Sequence, residues 1–330
     1  MHRLVSTGSY YFLSRPRRFG KSLLISTLQA YFEGRKELFE GLAMADLEKD
    51  WVKYPVFKFD MSNMKDSSLE RLNESLDRML KKYEAIYGCD PSARLPSTRL
   101  QWLIDRARAQ TNKRVVILID EYDKPMLDVL DTGISTTIDG ENRLLEEQHR
   151  NILKGFYSVF KSADANLQFV LLTGVTKFSQ VSVFSGFNQP DDISMSRDYE
   201  ALCGITETEL HHHFKEPIKE MAEVYHCTEE AMKERLKRQY DGYHFGYRMT
   251  DIYNPFSILN AFSKMQIGDY WFRSGTPTYL IRLMTHTNEN LNDLTGKYYD
   301  PSQFVDYKAD VEKPLPMIYQ SGYFTIKDCD

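Results

Sequence analysis

Between the apolar run Tyr10-Tyr11-Phe12-Leu13 and the helix-like segment Leu23 to Phe32 lies Arg15-Pro16-Arg17-Arg18-Phe19-Gly20-Lys21-Ser22. Strand, loop and helix in that order is the context of a phosphate-binding loop, and the closing G-K-S of the pattern G-x-x-x-x-G-K-[ST] is intact. Arg15 stands where the first glycine belongs, bringing a Cβ where none is expected, and Pro16 has no N–H to donate. The physics of such a loop survives these changes. A helix N-terminus offers unpaired N–H groups and a partial positive charge, so the backbone of Arg18, Phe19, Gly20, Lys21, Ser22 and Leu23 can hold a phosphate. Gly20 lets the main chain approach, Lys21 reaches the terminal phosphates, and the Ser22 hydroxyl is placed to ligate Mg²⁺. A basic turn capping an ordinary helix is the alternative reading of the same residues.

A second landmark narrows the choice. Val115-Val116-Ile117-Leu118-Ile119 is an aliphatic run with charge on both sides, followed by Asp120-Glu121-Tyr122-Asp123. Such a run reads as a strand buried on both faces, as a central parallel strand requires. Carboxylates at its end cost several kcal/mol unless a cation or hydrogen-bond donors offset them, so bound Mg²⁺ is the simplest account. In a nucleotide hydrolase Asp120 would hold that ion and Glu121 would polarise the attacking water. A third buried strand, Leu167 to Leu172, runs into Thr173-Gly174-Val175-Thr176-Lys177, and Thr173 and Thr176 are candidates to sense a terminal phosphate at the carboxyl ends of the strands.

Between these landmarks the pattern is alternating. Pro55 to Ser62 is strand-like, Ser67 to Tyr87 helical, Leu100 to Ala107 a helix capped by Pro96-Ser97-Thr98, and His149 to Ala163 helical. Residues 131–142 read as a flexible excursion, Ile193-Ser194-Met195-Ser196 as a last strand, and Pro316 to Ile326 as strand-like. From Thr206 onward come helices with charged outer faces, over Leu210–Tyr225, Thr228–Tyr240 and from Asn254-Pro255. His211-His212-His213 cannot converge on one metal, because consecutive helical residues fan apart. His244 and Arg248 are candidates to reach a nucleotide from this second part. The expected division is a core over 1–204 and a helical or winged-helix lid with the start of a linker over 205–330.

Composition sets limits. A chain of 330 residues with 42% hydrophobic and 27% charged residues is ordinary globular material, long for one core. A net charge of −5 argues against wholesale nucleic-acid binding, and the later half shows no strong basic stripe. Cys89, Cys203, Cys227 and Cys329 are scattered, without C-x-x-C spacing, which predicts a reduced cytoplasmic protein with neither a zinc site nor a disulfide framework. No run reaches the length of a membrane helix. Met1 to Ser9 are too few to complete a domain edge, which predicts a chain trimmed at its start.

Taken together, the segment Tyr11 to Ser22, Ile119-Asp120-Glu121-Tyr122-Asp123-Lys124-Pro125, Thr173 to Ser179 and Tyr240-Asp241-Gly242-Tyr243 resembles the bacterial AAA-ATPase-like family over nearly the whole chain. That family's loop itself reads Arg-Pro-Arg-Arg-Phe-Gly-Lys-Ser. The resemblance implies an α/β P-loop NTPase with a doubly wound parallel sheet and a small helical or winged-helix lid. By matching position it implies ATP and Mg²⁺ as ligands, Lys21 and Ser22 at phosphate and metal, and Asp120 and Glu121 as the metal-binding and water-activating pair. It also implies a C-terminal PD-(D/E)XK-type nuclease domain, commonly fused in the family; no E-x-K with a suitably spaced upstream aspartate follows the lid here, so that half is expected to be missing. A Tyr-Val-Asp-Lys-Thr-like upstream motif is likewise lacking.

Two functional readings stay open at this point: an ATPase whose hydrolysis switches the lid and regulates a partner or fused effector, or a module that binds ATP or ADP without appreciable hydrolysis. A winged-helix nucleic-acid binder is the third and weakest. A homo-oligomer lending an arginine to the site is compatible with any of them.

Overall fold

Side chains of the buried strands alternate between two cores, one on each face of a single sheet. The computed structural model describes residues 1–62, 68–177, 190–274, 278–287, 290–300, 302–305 and 314–328. Its strands are β1 (Tyr10–Ser14), β2 (Val56–Asp60), β3 (Val115–Asp120), β4 (Ser135–Ile138), β5 (Glu141–Leu144), β6 (Leu167–Gly174), β7 (Asp191–Asp192), β8 (Ile205–Thr206) and β9 (Ile252–Tyr253). Five of them form the central sheet in the order β2-β3-β6-β1-β7, every neighbouring pair parallel. All six residues of β3 are buried, as its aliphatic run requires.

Odd and even positions take opposite sides. Phe12, Phe57, Phe59, Ile117, Ile119, Val170 and Leu172 face a core shared with the helices Leu69–Tyr87, Pro96–Thr111 and Leu145–Ser162. Tyr11, Leu13, Val116, Leu118, Phe169 and Leu171 face the other core, against the helix Lys21–Phe32. Both faces are thus covered, which an all-parallel sheet needs. The register sets Phe12 beside Leu172, and Ile117 beside Val170, so each core is built in layers.

Beyond Gly204 the chain builds a second cluster. The short antiparallel ribbon β8–β9 carries helices Glu207–His213, Lys215–Val224, Glu229–Tyr240 and Pro255–Lys264 around Leu210, Met221, Leu236, Tyr253 and Ile258. Thr206 and Glu209 form a reciprocal capping box at the first of these, which satisfies two orphan donors at once. Tyr279, Leu280, Leu283, Met317 and Ile318 return to the first core, so the chain's last described part packs on the sheet domain.

Three expectations need correction. Residues 131–142 are not an irregular excursion, because β4 and β5 pair as a hairpin around Asp139 and Gly140, both left-handed at φ 51 and 80. The strand expected at Ile193–Ser196 lies just before it, since only Asp191 and Asp192 pair with β1. The segment Pro316–Ile326 contains no described strand; Leu315–Gln320 is helical and buried at every position, which removes the periodic signal a half-buried helix shows. Ser67, Phe178, Ser179 and residues 185–189, which entered the sequence reading, lie outside the described residues.

Candidate functional site

The loop from Arg15 to Gly20 follows β1 directly and ends in the helix Lys21–Phe32. Gly20 is its N-cap at φ 90, ψ 18, a left-handed conformation that favours glycine, and a Cβ there would have no heavy atom within 4 Å. The glycine therefore answers a backbone requirement and leaves open space above it. Leu24 N–H is bonded to the Gly20 carbonyl at 3.0 Å, so the N–H groups of Lys21, Ser22 and Leu23 point out of the helix end. Ser22 is exposed, Leu23 is 70% exposed, and Arg18 is exposed with φ 68.

Lys21 is buried and bends over its own loop, donating to the carbonyls of Arg15 at 2.8 Å and Pro16 at 3.1 Å. Burial pulls its ammonium below the usual lysine range, while the charges of Asp123, Glu121 and Asp120 draw it back up. The loop lysine and the acidic end of β3 therefore share one electrostatic neighbourhood. The two strands are separated only by β6, two strand spacings or roughly 10 Å.

Each carboxylate has its own place. Asp120 is buried and accepts a hydrogen bond from the Thr173 hydroxyl at 2.8 Å, so the fully buried Thr173 ties the end of β6 to the end of β3. Glu121 is partly exposed and sits at φ 53, sparsely populated for a residue with a side chain. Burial raises its carboxyl above the ordinary range, Asp123 adds to this, and Lys21 opposes it. Asp123 is a clamp: one carboxylate oxygen accepts from Val175 N–H at 2.9 Å, Thr176 N–H at 2.7 Å and the Thr176 hydroxyl at 2.9 Å. Burial raises its carboxyl too, against those hydrogen bonds. Gly174 permits the close approach, because a Cβ there would lie 2.7 Å from the Tyr122 ring and 2.8 Å from Asp123 Oδ1.

Sequence reasoning missed three of these features. Asp60 is the register partner of Asp120 and adds another carboxylate at the strand ends; its signal was the aspartate that stops the alternation of β2. Asp123 was grouped with its neighbours, although the threonine at the exit of β6 could have marked its partner. Arg15 has the largest unforeseen role. Its guanidinium, 1% exposed, donates to five carbonyls, those of Ser14, Ser194, Tyr199, Glu200 and Leu202, at 2.6 to 3.3 Å. It also lies 4.2 Å from the centre of the Phe245 ring. The side chain that replaces the first glycine thus points away from the helix end and fastens the loop to the segment leading into the second cluster.

The rest of the loop is held in the same way. Gly322 packs on Pro16, with a hypothetical Cβ only 2.8 Å from its ring, and Trp271 Nε1 donates to the Arg17 carbonyl at 3.1 Å. Arg18 lies over Phe256 at 5.1 Å. The Phe19 ring is fully buried, 4.8 Å from Tyr243 and 5.3 Å from Phe245, so its contribution to a ligand is limited to main-chain atoms. His244 spends both ring nitrogens inside the structure, on Ile326 O at 2.7 Å and Asp251 at 2.9 Å, whereas Arg248 is exposed.

The donor set suits a nucleotide with a hard cation. A buried ammonium, three outward amides and the open space over Gly20 match phosphate, and the oxygens of Ser22 and Asp120 match Mg²⁺, which usually takes one or two protein ligands beside phosphate and water. Among the described residues no group of three or more His, Cys, Asp or Glu could hold a metal ion.

A parallel α/β sheet with a phosphate-type loop at one strand and carboxylates two strands away defines a P-loop NTPase-like fold. The chain belongs to the AAA-ATPase-like family, whose profile, described as "Predicted AAA-ATPase", matches residues 1–184. A protein of Azotobacter chroococcum mcd 1, described as "Uncharacterized protein in vnfD 5'region", is 34% identical over 325 residues, 98% of this chain. The chain spans 58% of the length of that relative. The resemblance drawn from the motifs is borne out at the level of family and fold. No described helix is long and apolar enough to cross a membrane.

Proposed function

We propose that this chain is an ATP-binding, Mg²⁺-dependent ATPase module whose nucleotide state is communicated to the second cluster and from there to a partner or fused effector. The observation that carries the reading is the shared electrostatic neighbourhood of Lys21 with Asp120, Glu121 and Asp123 across the intervening β6. In this reading the amides of Arg18 to Leu23 seat the phosphates and Lys21 trades its two carbonyl partners for phosphate oxygens. Ser22 and Asp120 are the residues that would hold Mg²⁺, and the ion would supply charge neutralisation at the phosphates. Glu121 orients and deprotonates water, and Thr173, fixed by Asp120, senses the terminal phosphate.

The decisive measurement pairs equilibrium ATP binding with phosphate release in two variants. Lys21→Ala loses ATP binding; Glu121→Gln keeps it and loses turnover by roughly 10²-fold or more, as for removal of a preorganised catalytic group. Full turnover in Glu121→Gln would remove Glu121 from the base role. A second reading, binding without appreciable hydrolysis, is motivated by the altered loop, in which Arg15 stands in place of the first glycine and Pro16 has no N–H to donate. Tight Mg²⁺–ATP binding with no phosphate release would select it.

A further inference from the structure

Behind the loop, Tyr243, Trp271 and Gly322, which also hold residues 16–19, help line an open cleft of about 260 Å³ to which neither residues 15–22 nor β3 contribute a residue. Tyr243, Trp271, Phe272 and Tyr323 form much of its wall. Their rings meet at steep angles: 66° between Tyr243 and Trp271, 61° between Trp271 and Tyr323, and 85° between Phe272 and Tyr323, with centroids 5.0 to 6.5 Å apart. Rings set this way make a box. A flat nucleobase needs two roughly parallel faces, whereas a compact cation is attracted to ring faces from several directions.

The polar part of the wall is acidic. Asp241 has one oxygen on the Gly242 N–H at 2.5 Å, and Asp269 has one on Gln239 Nε2 at 2.8 Å, so each carboxylate keeps acceptor capacity. Burial raises the carboxyl of Asp241, Asp251 adds to the rise, and Lys237 and His244 oppose it, so this is a partly desolvated acid. One lysine already stands at this wall: Lys327, exposed at the rim, brings its amine 3.5 Å from where a Cβ of Gly242 would stand. Asn254, 2% exposed and also part of the wall, has an amide nitrogen without a hydrogen-bond partner.

We propose that this box is a binding site for an alkylammonium cation, the head group of a lysine side chain or of a free diamine, with Lys327 as its internal competitor. Ring faces hold the ammonium, Asp241 and Asp269 supply the opposing charge, and the Asn254 amide offers a donor to a peptide carbonyl beside the head group. The site goes beyond the nucleotide reading and does not depend on it.

Isothermal titration with cadaverine and with N-acetyl-lysine amide tests it, in the wild-type chain and in Lys327→Ala, a rim variant that leaves the fold intact. Saturable binding is expected, about five- to tenfold tighter in Lys327→Ala because the competing amine is gone, and about tenfold weaker in Asp241→Asn. Tighter binding of the lysine amide than of cadaverine identifies a peptide as the source, and equal binding identifies a free amine. The proposal is overturned if Lys327→Ala shows no saturable binding of either amine, if N-acetyl-norleucine amide binds as well as the lysine compound, or if adenosine binds in their place.

Discussion

Replacing Arg15 by glycine restores the usual phosphate-loop pattern and is expected to damage the protein. The guanidinium makes five hydrogen bonds of 2.6 to 3.3 Å to carbonyls and a cation–π contact with Phe245. The Tyr199 carbonyl keeps the Leu202 N–H at 2.9 Å, but leaving a buried acceptor unpaired costs about 1–3 kcal/mol, so the other four dry carbonyls would together cost about as much as the whole stability of many domains. Two effects reduce the sum: water enters the vacated volume, and the cost of burying an uncompensated cation, visible in the downward pull on the Arg15 pKa, disappears. Removing one member of a buried charged contact typically costs about 3–5 kcal/mol, and we expect Arg15→Gly to fall there. Arg15→Lys keeps the charge but offers three donors on a compact head, so it should recover only part of the loss. Urea unfolding of the three proteins without nucleotide, followed by far-UV circular dichroism, measures this directly. A value for Arg15→Gly within about 1 kcal/mol of the wild type would refute the reasoning, since that is the scale of an ordinary surface change.

Three further expectations follow from the strand ends and the second cluster. Gly174→Ala forces a methyl against the Tyr122 ring and Asp123 Oδ1 and should destabilise by about 1–3 kcal/mol, read from the same urea curves; an unchanged midpoint would show that the β3–β6 contact yields easily. Asp123→Asn can keep an oxygen for the three donors but loses the charge that strengthens those bonds and puts an NH₂ at the other oxygen's place in a buried site, so it should weaken stability more than Asp128→Asn, whose carboxylate is partly exposed. Asp251 is pushed up by burial, but hydrogen bonds from His244 and Lys237 outweigh this and hold its carboxyl below the usual range. A depressed carboxylate contributes stability above its unfolded pKa and loses it as pH falls through the folded one. Acid titration should therefore cost the wild type a contribution that Asp251→Asn no longer has to lose, and parallel acid-unfolding curves for the two would contradict it.

Much of the core was legible because burial on both faces writes an unmistakable run. Val115–Ile119 is aliphatic from end to end and Leu167–Leu172 is apolar at every position but Gln168, and each became a central strand. The helix Lys21–Phe32 and its glycine cap could be placed because loop chemistry is local. The hairpin at 135–144 was missed although Asp139-Gly140 is a two-residue turn signal; its strands are largely exposed and carry no apolar alternation to support it. Leu315–Gln320 misled for the opposite reason, since a helix buried all round has lost its periodicity. The roles of Arg15 and Asp123 depend on partners 179 to 187 and 52 to 53 positions away, respectively, and no pattern confined to a short window can reveal such pairings.

The grip on residues 15–19 has a consequence for how this molecule can respond. Trp271, Phe256, Tyr243, Phe245 and Gly322 hold that stretch from outside, one neighbour after another. A cradle anchored so densely along its back has little slack of its own. Any change in the shape of this stretch would have to displace aromatic rings belonging to the C-terminal half, so that half's packing opposes it.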